Sequence, residues 1–357
     1  MSNPKPSQAS VAVYRLSGGG AEKVVMRLAR LLEERKQLSR IYTGSAPKID
    51  TLGAMQVAAL NAENAFGAVI PFQRLVRTDD ARSFLLTANY AALAPALRIV
   101  RPRARIVVRI AGILSSEMKA LRCVSRIRYW TVMALACAFA DCIVVQGKEM
   151  RADVGTLYPW AIRKILLISN LIEDDLWTHK VVSSPIDGPY IFCAATFRPV
   201  KAFDTLLKAF AHSPARRARK LVIAGVERSN PELCQLMAEN GLSESEVVAL
   251  GFVDRPYDLI ANADLCVLAS RYEGFSNFLL EAAAFGKLIV ATACPGGNRE
   301  LFGLYRNAIL VGVDDVEALA QAIAAKRNDI PRQQARSHLS CFESSKVMKE
   351  YLGALFP

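Results

Sequence analysis

The chain has very few histidines and no paired cysteine motif. Its 357 residues include 3 histidines and 8 cysteines, and no two cysteines form a CxxC pair. Zinc sites and disulfide frameworks are built on such spacings, so the sequence disfavours both. Most of the cysteines stand within apolar runs, and we interpret them as buried, reduced thiols of a cytoplasmic protein.

Segments that would target or anchor the chain are also not evident. The first ten residues, MSNPKPSQAS, are polar, and we therefore expect no signal peptide there. The longest apolar run is YWTVMALACAFADCIVV at 129–145. It contains Asp141 and falls short of the roughly 20 apolar residues that span a bilayer, so it predicts a buried helix followed by a strand at Cys142–Val145.

Apolar residues and positive charge are abundant. A hydrophobic content of 52% over 357 residues predicts a globular chain of two domains. The net charge of +12 lies entirely in the first half: residues 1–180 hold 26 Lys and Arg against 14 Asp and Glu, whereas residues 181–357 hold 19 against 19. The excess indicates an anionic partner, either nucleic acid or anionic lipid, or simply a soluble basic surface.

Short β-branched runs alternate with helix-length segments, which predicts parallel strands joined by crossover helices. The expected strands are Ser10–Leu16, Leu38–Tyr42, Ala68–Ile70, Ser83–Thr87, Ile106–Ile110, Cys142–Val145, Ile165–Ile168, Tyr190–Ala195, Lys220–Ala224, Val247–Leu250, Asp264–Leu268 and Leu288–Thr292. A Ser-, Pro- and Gly-containing stretch breaks the pattern near 176–189. We expect an α/β chain of two doubly wound domains, at 1–176 and 190–340, with a linker at 177–189 and a last amphipathic helix in 341–357.

Three loops could carry chemistry, because ligands of open α/β sheets bind beyond the carboxyl ends of the strands. SGGGAEK (17–23) follows the first strand and opens a helix at Ala21–Arg35, which suits a bound anion. It lacks the third glycine of a dinucleotide fingerprint, and the second strand ends without an acidic residue. In the loop after Tyr190–Ala195, Arg198 and Lys201 could hold phosphate, although both could equally be surface charges.

The third loop and its helix, EGFSNFLLEAAAFGK at 273–287, place two carboxylates eight positions apart. Ser276 is a plausible N-cap, which would leave the first amides of the helix available to an anion. Glu281 could accept hydrogen bonds from vicinal hydroxyls, and Glu273 could contact a different polyol. Ordinary helix-start glutamates are the plain alternative.

This segment resembles the signature of retaining glycosyltransferases of family 4, which have the GT-B fold of two Rossmann-like domains facing across a cleft. GGAE at 19–22, ADCIVV at 140–145, LVIAG at 221–225 and GFV at 251–253 match further family segments. The resemblance covers nearly the whole chain and implies that the C-terminal helix, with Tyr351, crosses back to the first domain.

The resemblance implies donor-binding roles for Gly19, Gly20, Arg198, Lys201, Glu273, Gly274, Phe275, Ser276, Asn277, Phe278 and Glu281. Of these, Glu273, Lys201 and Arg198 would be catalytic, while Arg109 and Glu22 would lie on the acceptor side. Two departures stand out. Thr196 occupies the place of the family's usual arginine, for which Arg198 could substitute, and Ala111 stands near the family's usual histidine.

The predicted activity is retaining transfer of a sugar from UDP- or GDP-sugar to a glycan or polyprenyl-diphosphate-linked acceptor in bacterial cell-surface polysaccharide or lipopolysaccharide synthesis. Positive side chains and helix amides would replace a metal, since no DxD motif is present, and no cofactor is expected. The basic segments 101–109 and 118–130 predict peripheral association with the inner, anionic face of the cell membrane, and no nucleic-acid motif accompanies them. A GT-B-like nucleotide-sugar epimerase and an inactive sugar-nucleotide-binding module are the alternatives.

Overall fold

The chain divides into two compact units. The computed structural model describes residues 7–16, 20–45 and 55–357. Unit 1 comprises Met1–Leu171 and Ser345–Pro357, and unit 2 comprises Ile172–Ser344. The first domain thus ends at Leu171 rather than at the predicted residue 176, because Ile172 and Leu176 are buried in the core of unit 2.

Unit 1 is built on a seven-stranded parallel sheet among its described residues. Its strands are β1 (Ala9–Ala12), β2 (Leu38–Thr43), β3 (Val57–Ala59), β4 (Ser83–Thr87), β5 (Arg105–Arg109), β6 (Cys142–Val145) and β7 (Ile165–Leu167), in the spatial order 3-2-1-4-5-6-7. The helices between them are α1 (Gly20–Glu34), α2 (Val69–Val76), α3 (Ala94–Val100), α4 (Leu114–Lys119), α5 (Cys123–Phe139) and α6 (Lys148–Leu157). Parallel neighbours cannot be joined by a tight hairpin, so the helices provide the crossovers.

Unit 2 repeats the plan with a six-stranded parallel sheet. Its strands are β8 (Tyr190–Ala194), β9 (Lys220–Ala224), β10 (Val247–Ala249), β11 (Leu265–Leu268), β12 (Ile289–Thr292) and β13 (Ala308–Val311), in the order 10-9-8-11-12-13. Its helices are α7 (Asp174–Thr178), α8 (Phe203–His212), α9 (Pro231–Glu239), α10 (Tyr257–Asn262), α11 (Asn277–Ala284), α12 (Asn298–Leu304), α13 (Val316–Ala322) and α14 (Arg332–His338). Several strands are buried along their whole length, which explains their continuous apolar runs.

One strand prediction is wrong, and two strands of the structure were not predicted. Ala68–Ile70 is wrong as a strand: Val69 opens α2, whose Phe72 and Val76 are buried one turn apart. Within three residues, the β-branched side chains favoured a strand. The helical spacing of the buried residues is recognisable only over the eight residues of α2. The sequence did not predict β3 or β13, which lie at sheet edges and have little burial to mark them.

The last helix, α15 (Ser344–Leu355), packs onto the sheet of unit 1, as predicted for a helix that returns to the first domain. Ser83 Oγ donates to the carbonyl oxygen of Leu355 at 2.6 Å, and Arg105 Nε donates to that of Ala354 at 2.5 Å. Tyr351 lies in the apolar core of the same unit. These contacts join residues far apart in sequence and make the C-terminus part of unit 1.

Within the described ranges, none of the helices combines the length and the apolar character that crossing a membrane requires.

Candidate functional site

Two loops of unit 2 leave neighbouring strand ends. β8 and β11 pair in parallel, with Ile191 opposite Leu265, so their carboxyl ends lie at the same edge of the sheet. The loop at 195–202 follows β8, and the loop at 269–276 follows β11. Ligands of open α/β sheets bind at this edge, and most of the predicted donor-binding residues stand in these two loops.

Lys201 and Glu273 form an ion pair between the two loops. Lys201 Nζ lies 2.5 Å from Glu273 Oε1, and Ser270 Oγ donates to the same oxygen at 2.5 Å. Glu273 is 8% exposed, and the side chain of Lys201 is 19% exposed. A sheltered, hydrogen-bonded pair is held more firmly than one in water, so the ammonium group and the carboxylate are fixed together at the strand edge.

Arg271 connects the same loops at a second place. Its backbone nitrogen donates to Val200 O at 2.8 Å, and its guanidinium donates to Pro199 O at 2.6 Å. The guanidinium also pairs with Asp204 at 2.6 Å and with Asp314 at 2.9 Å. Hydrogen bonds from these carboxylates, first Asp204 and then Asp314, raise the pKa of Arg271. The sequence analysis assigned Arg271 no role, although it stands two residues before Glu273.

The backbone of Glu273 is seated against the loop that follows β12. Its nitrogen donates to Pro295 O at 3.0 Å. Gly296 has a φ of +134°, and a Cβ there would lie 1.6 Å from Glu273 O. Only glycine permits this approach, so the Pro-Gly-Gly run at 295–297 was the sequence signal for a third loop at the site.

Ser276 caps α11, as predicted. Ser276 Oγ accepts a hydrogen bond from Leu279 N at 3.3 Å, and Ser276 N donates to Asn298 Oδ1 at 2.8 Å. Asn298, which begins α12, was not predicted from the sequence as a residue of this site. The capped first turn points the positive end of the helix dipole toward the loop that holds Glu273, which favours an anion at this place.

α11 is buried over its whole length, including the carboxylate-bearing Glu281. The aromatic rings of Phe275 and Phe278 pack into the core of unit 2, which leaves backbone rather than side chain for contact with a ligand. Gly286, at a φ of +75°, ends the helix. Burying a carboxylate costs free energy unless it is hydrogen-bonded, so Glu281, the charged residue of α11, is exceptional among its buried positions.

The predicted residues of unit 1 fall at different places. Gly19 lies outside the described residues, Gly20 begins α1, and Glu22 lies in its first turn. Arg109 is 1% exposed, and its guanidinium donates to Tyr351 Oη at 3.1 Å and to Asn170 Oδ1 at 2.7 Å. The side chain of Arg109 is thus buried in unit 1 and holds α15, and its acceptor-side role stays a prediction.

Arg198 is exposed at the start of the turn Pro199–Lys201. It lines a pocket of about 260 Å³, whose floor includes the stacked rings of Phe197 and Phe203. Thr196 is exposed in the same loop, and Ala111 is half-buried in unit 1. A substitution of Arg198 for the family's usual arginine stays a prediction.

The histidines stand away from these loops. His212 is exposed, whereas His179 is half-buried, with Nε2 lying 2.9 Å from Asp258 Oδ1, and His338 is half-buried as well. Across the part of the chain that the structure describes, no three His, Cys, Asp or Glu side chains group closely enough to hold a metal ion.

The part of unit 2 that holds this site is similar to a known family of proteins. The family model described as "Glycosyl transferases group 1" matches residues 188–329, which include both site loops and α11. The predicted resemblance to glycosyltransferases is confirmed by this match, whereas the assignment to family 4 stays a prediction. An N-acetylgalactosamine-N,N'-diacetylbacillosaminyl-diphospho-undecaprenol 4-alpha-N-acetylgalactosaminyltransferase of Campylobacter jejuni is 25% identical over 362 residues, covering 96% of this chain and 97% of the relative.

Two further comparisons concern the family and the fold. The lipopolysaccharide core biosynthesis mannosyltransferase LpsB of Rhizobium meliloti is 30% identical over 166 residues, covering 44% of this chain and 46% of its own. The crystal structure of Anabaena HepE with UDP and glucose matches with a TM-score of 0.76 at 19% identity, covering 97% of this chain and 98% of that one. The GT-B fold class is confirmed by this likeness and by the two parallel sheets.

Proposed function

We propose that the chain is a retaining glycosyltransferase that moves a sugar from UDP- or GDP-sugar to a lipid-linked saccharide. The observation that carries the proposal is the grouping of Lys201, Glu273 and the capped start of α11 at one sheet edge. The match of residues 188–329 to group 1 glycosyl transferases supports it, as does the UDP and glucose bound by HepE.

The leaving group would be stabilised by positive charge. As the bond between the anomeric carbon and the donor phosphate breaks, negative charge grows on the departing diphosphate. Lys201, the exposed Arg198 and the first amides of α11 are the groups near the site that favour this charge. We propose that they do so without a metal ion.

The two glutamates would hold different rings of one donor. Glu281, buried in α11, would accept hydrogen bonds from the ribose hydroxyls, and Glu273 would accept one from the transferred sugar. Glu273 Oε1 already accepts hydrogen bonds from Lys201 and Ser270, so we assign the other oxygen, Oε2, to the sugar. Carboxylates suit vicinal hydroxyls because each oxygen accepts more than one hydrogen bond.

Retention would follow from attack on the face that the diphosphate leaves. The acceptor oxygen bonds to the anomeric carbon, the bond from that carbon to the phosphate oxygen breaks, and the acceptor proton passes to the departing phosphate oxygen. No enzyme carboxylate forms a covalent intermediate in this scheme. A trapped glycosyl-enzyme adduct would contradict it.

The acceptor that we propose is a polyprenyl-diphosphate-linked saccharide of cell-surface polysaccharide or lipopolysaccharide synthesis. The Campylobacter relative, which aligns over 96% of this chain, acts on a diphospho-undecaprenol saccharide according to its name, and LpsB serves lipopolysaccharide core biosynthesis. Such a substrate is embedded in a bilayer by its lipid, so the enzyme would work at the inner face of the cell membrane.

The test has two stages. Thermal shifts of the full chain with UDP-, GDP- and ADP-sugars identify the donor, because a bound ligand raises the melting temperature. The selected donor and an undecaprenyl-diphosphate-linked saccharide are then incubated with enzyme in the presence of EDTA, and the product's anomeric configuration is read by NMR. Transfer with retention supports the proposal. Absence of any donor shift, an inverted product or loss of activity in EDTA contradicts the corresponding part.

A further inference from the structure

The helix α5 carries apolar residues on the side that faces water. Val124, Ile127 and Leu135 recur at helical spacing and are 81%, 62% and 44% exposed. The opposite side of the helix buries Met133, Ala136 and Cys137 in unit 1. The outer side of α5 therefore exposes large apolar residues to water, next to the exposed Arg128 and Thr131.

Further exposed apolar residues lie on segments that contact α5 or its neighbour α3. The guanidinium of Arg128, on α5, lies 5.5 Å from the centre of the exposed ring of Phe66. α3 packs against both α5 and α2. Its residue Ile99 is 74% exposed, and Ile70 of α2 is 63% exposed. We call the six residues together the α5 face: Phe66, Ile70, Ile99, Val124, Ile127 and Leu135. A group of this size is unusual on a protein that is surrounded by water.

Positive charge surrounds the first turns of α5. Residues 118–140 contain four basic side chains and no acidic one. The four are Lys119, Arg122, Arg126 and Arg128, and all are exposed. The segment 118–130 is not a single helix, since α4 ends at Lys119 and α5 begins at Cys123. The four basic residues fall within ten positions of the sequence, on either side of this break.

The second basic segment, 101–109, does not contribute as predicted. Arg101 donates to the carbonyl oxygens of Val76 and Ala81, and Arg105 donates to that of Ala354. Arg109 is buried. Three of its four arginines therefore stabilise unit 1 from within, and Arg103 alone remains exposed.

Two tryptophans lie beside the α5 face. The ring centres of Trp130 and Tyr158 are 5.7 Å apart, and those of Tyr158 and Trp160 are 5.6 Å apart. Both tryptophans are exposed. Tryptophan is enriched where protein meets the headgroup region of a bilayer, because its ring is apolar and its nitrogen can donate a hydrogen bond.

We propose that the α5 face docks onto an anionic lipid bilayer, with Val124, Ile127 and Leu135 entering the headgroup boundary and the arginines contacting lipid phosphates. Adjacent apolar and positive residues are what an anionic bilayer binds. A second copy of the chain is a poorer occupant, because a self-complementary contact would bring two basic clusters together. The inference concerns this surface alone and does not depend on the glycosyl-transfer proposal.

The test is flotation of the full chain with vesicles of phosphatidylcholine, with or without phosphatidylglycerol, at low and high salt. We expect binding only to the anionic vesicles. The triple variant Val124→Ser, Ile127→Ser, Leu135→Ser should lower vesicle affinity about tenfold or more. The matched control, Val182→Ser, Leu304→Ser, Leu310→Ser, changes apolar residues of similar exposure in unit 2 and should bind like the unmodified chain.

A second pair of variants tests the charges. Arg122→Gln, Arg126→Gln, Arg128→Gln should weaken binding roughly a hundredfold at low salt, since each basic residue near an anionic surface strengthens binding several-fold. The control Arg217→Gln, Arg306→Gln, Lys326→Gln removes three exposed charges of unit 2 and should have a much smaller effect. Equal binding of both triples, or equal binding to neutral and anionic vesicles, would overturn the proposal.

Tryptophan fluorescence can measure how deeply the α5 face enters the bilayer. The chain has three: Trp130, Trp160 and Trp177, and the last packs against the core of unit 2. In a Trp177→Phe variant, brominated lipid should quench the remaining fluorescence when anionic vesicles are added. Bound protein without quenching would contradict insertion of this face. A concentration-dependent dimer that Ile127→Ser abolishes, without vesicle binding, would assign the face to a second copy instead.

Discussion

Lys201 Nζ lies 2.5 Å from Glu273 Oε1, although the two residues are 72 positions apart in the sequence. The contact exists because β8 and β11 are neighbours in the sheet of unit 2 and their following loops leave the same edge. The carboxylate of Glu273 neutralises the ammonium group of Lys201, and both side chains are largely shielded from water. We infer that a bound diphosphate would share Lys201 with Glu273 rather than bind a lysine taken directly from water.

Lys201→Met should lower kcat by about 10² to 10³, the usual effect of removing one group that stabilises developing negative charge. It also leaves Glu273 without its counter-ion, so the unfolding free energy should fall by about 2 kcal/mol. The control Lys208→Met changes an exposed lysine of α8. Steady-state kinetics with saturating donor give the comparison, and equal kcat values for the two variants would refute the role of Lys201.

The variants Glu281→Gln and Glu273→Gln should distinguish binding of the donor's ribose from binding of its transferred sugar. If Glu281 binds ribose, its variant weakens both the sugar nucleotide and the free nucleoside diphosphate, by about tenfold or more. The Glu273 variant should weaken the sugar nucleotide more than the nucleoside diphosphate. Calorimetric titration of both ligands measures this, with Glu317→Gln, an exposed glutamate of α13, as control. An unchanged dissociation constant for Glu281→Gln would rule out its ribose contact.

Arg271→Gln tests whether the second connection between the loops positions Lys201. The variant loses the ion pairs with Asp204 and Asp314, and the turn at Pro199–Lys201 should become more mobile. We expect kcat to fall about tenfold with a smaller change in KM, because a misplaced catalytic group costs more in the transition state. Hydrogen exchange of the peptide covering 196–204 should accelerate.

The control for Arg271 is Arg228→Gln, which removes an exposed ion pair with Glu244. Such pairs contribute about 1 kcal/mol or less. Arg271→Lys keeps the charge but loses the planar fork, so partial rescue is expected. Exchange rates in 196–204 that match the unmodified chain would contradict a positioning role.

Asp79 should make the stability of unit 1 depend on acid pH. Burial alone would raise its pKa, but hydrogen bonds from Tyr42, Ser10, Ser39 and the amide of Ala81 outweigh it and lower the pKa below 3.8. A carboxyl with a lowered pKa in the folded state stabilises the protein above its unfolded pKa, and this contribution is lost as the pH falls through the folded value. Stability should therefore decrease below about pH 3.8.

The measurement for Asp79 is urea unfolding of the full chain and of Asp79→Asn between pH 7 and pH 3. At pH 7 the variant should be less stable by about 2 kcal/mol, and the difference should shrink as the pH falls. Asp80→Asn, at the adjacent exposed carboxylate, is the control. A pH-independent difference would show that the asparagine acts through packing alone.

Local chemistry made parts of the site predictable. Ser276 was recognisable as an N-cap because its hydroxyl precedes an apolar helix, and Gly286 was recognisable as the end of that helix. Glu281 stood out because carboxylates are rare inside apolar helical segments. The strand β4 was predicted to the residue from its short apolar run, whereas the three residues of β3 gave no comparable signal.

Partners distant in the sequence were not predictable. Arg109 was placed on the acceptor side as the polar residue nearest to the position of the family's usual histidine, and its hydrogen bond to Tyr351, 242 residues later, results from α15 returning to unit 1. Arg271 stood beside a recognisable motif, yet its contacts with Asp204 and Asp314 depend on which loops the sheet order brings together.

Residue spacing and composition along the chain were enough to predict the α/β class, the family resemblance, the capped helix and the positive charge of the first half. The tertiary structure alone decided which side chains meet. The parallel order of β8 and β11 joined Lys201 to Glu273, and the packing of α5 left Val124, Ile127 and Leu135 facing water. Spacing is a local property, whereas contact and exposure depend on how the whole chain folds.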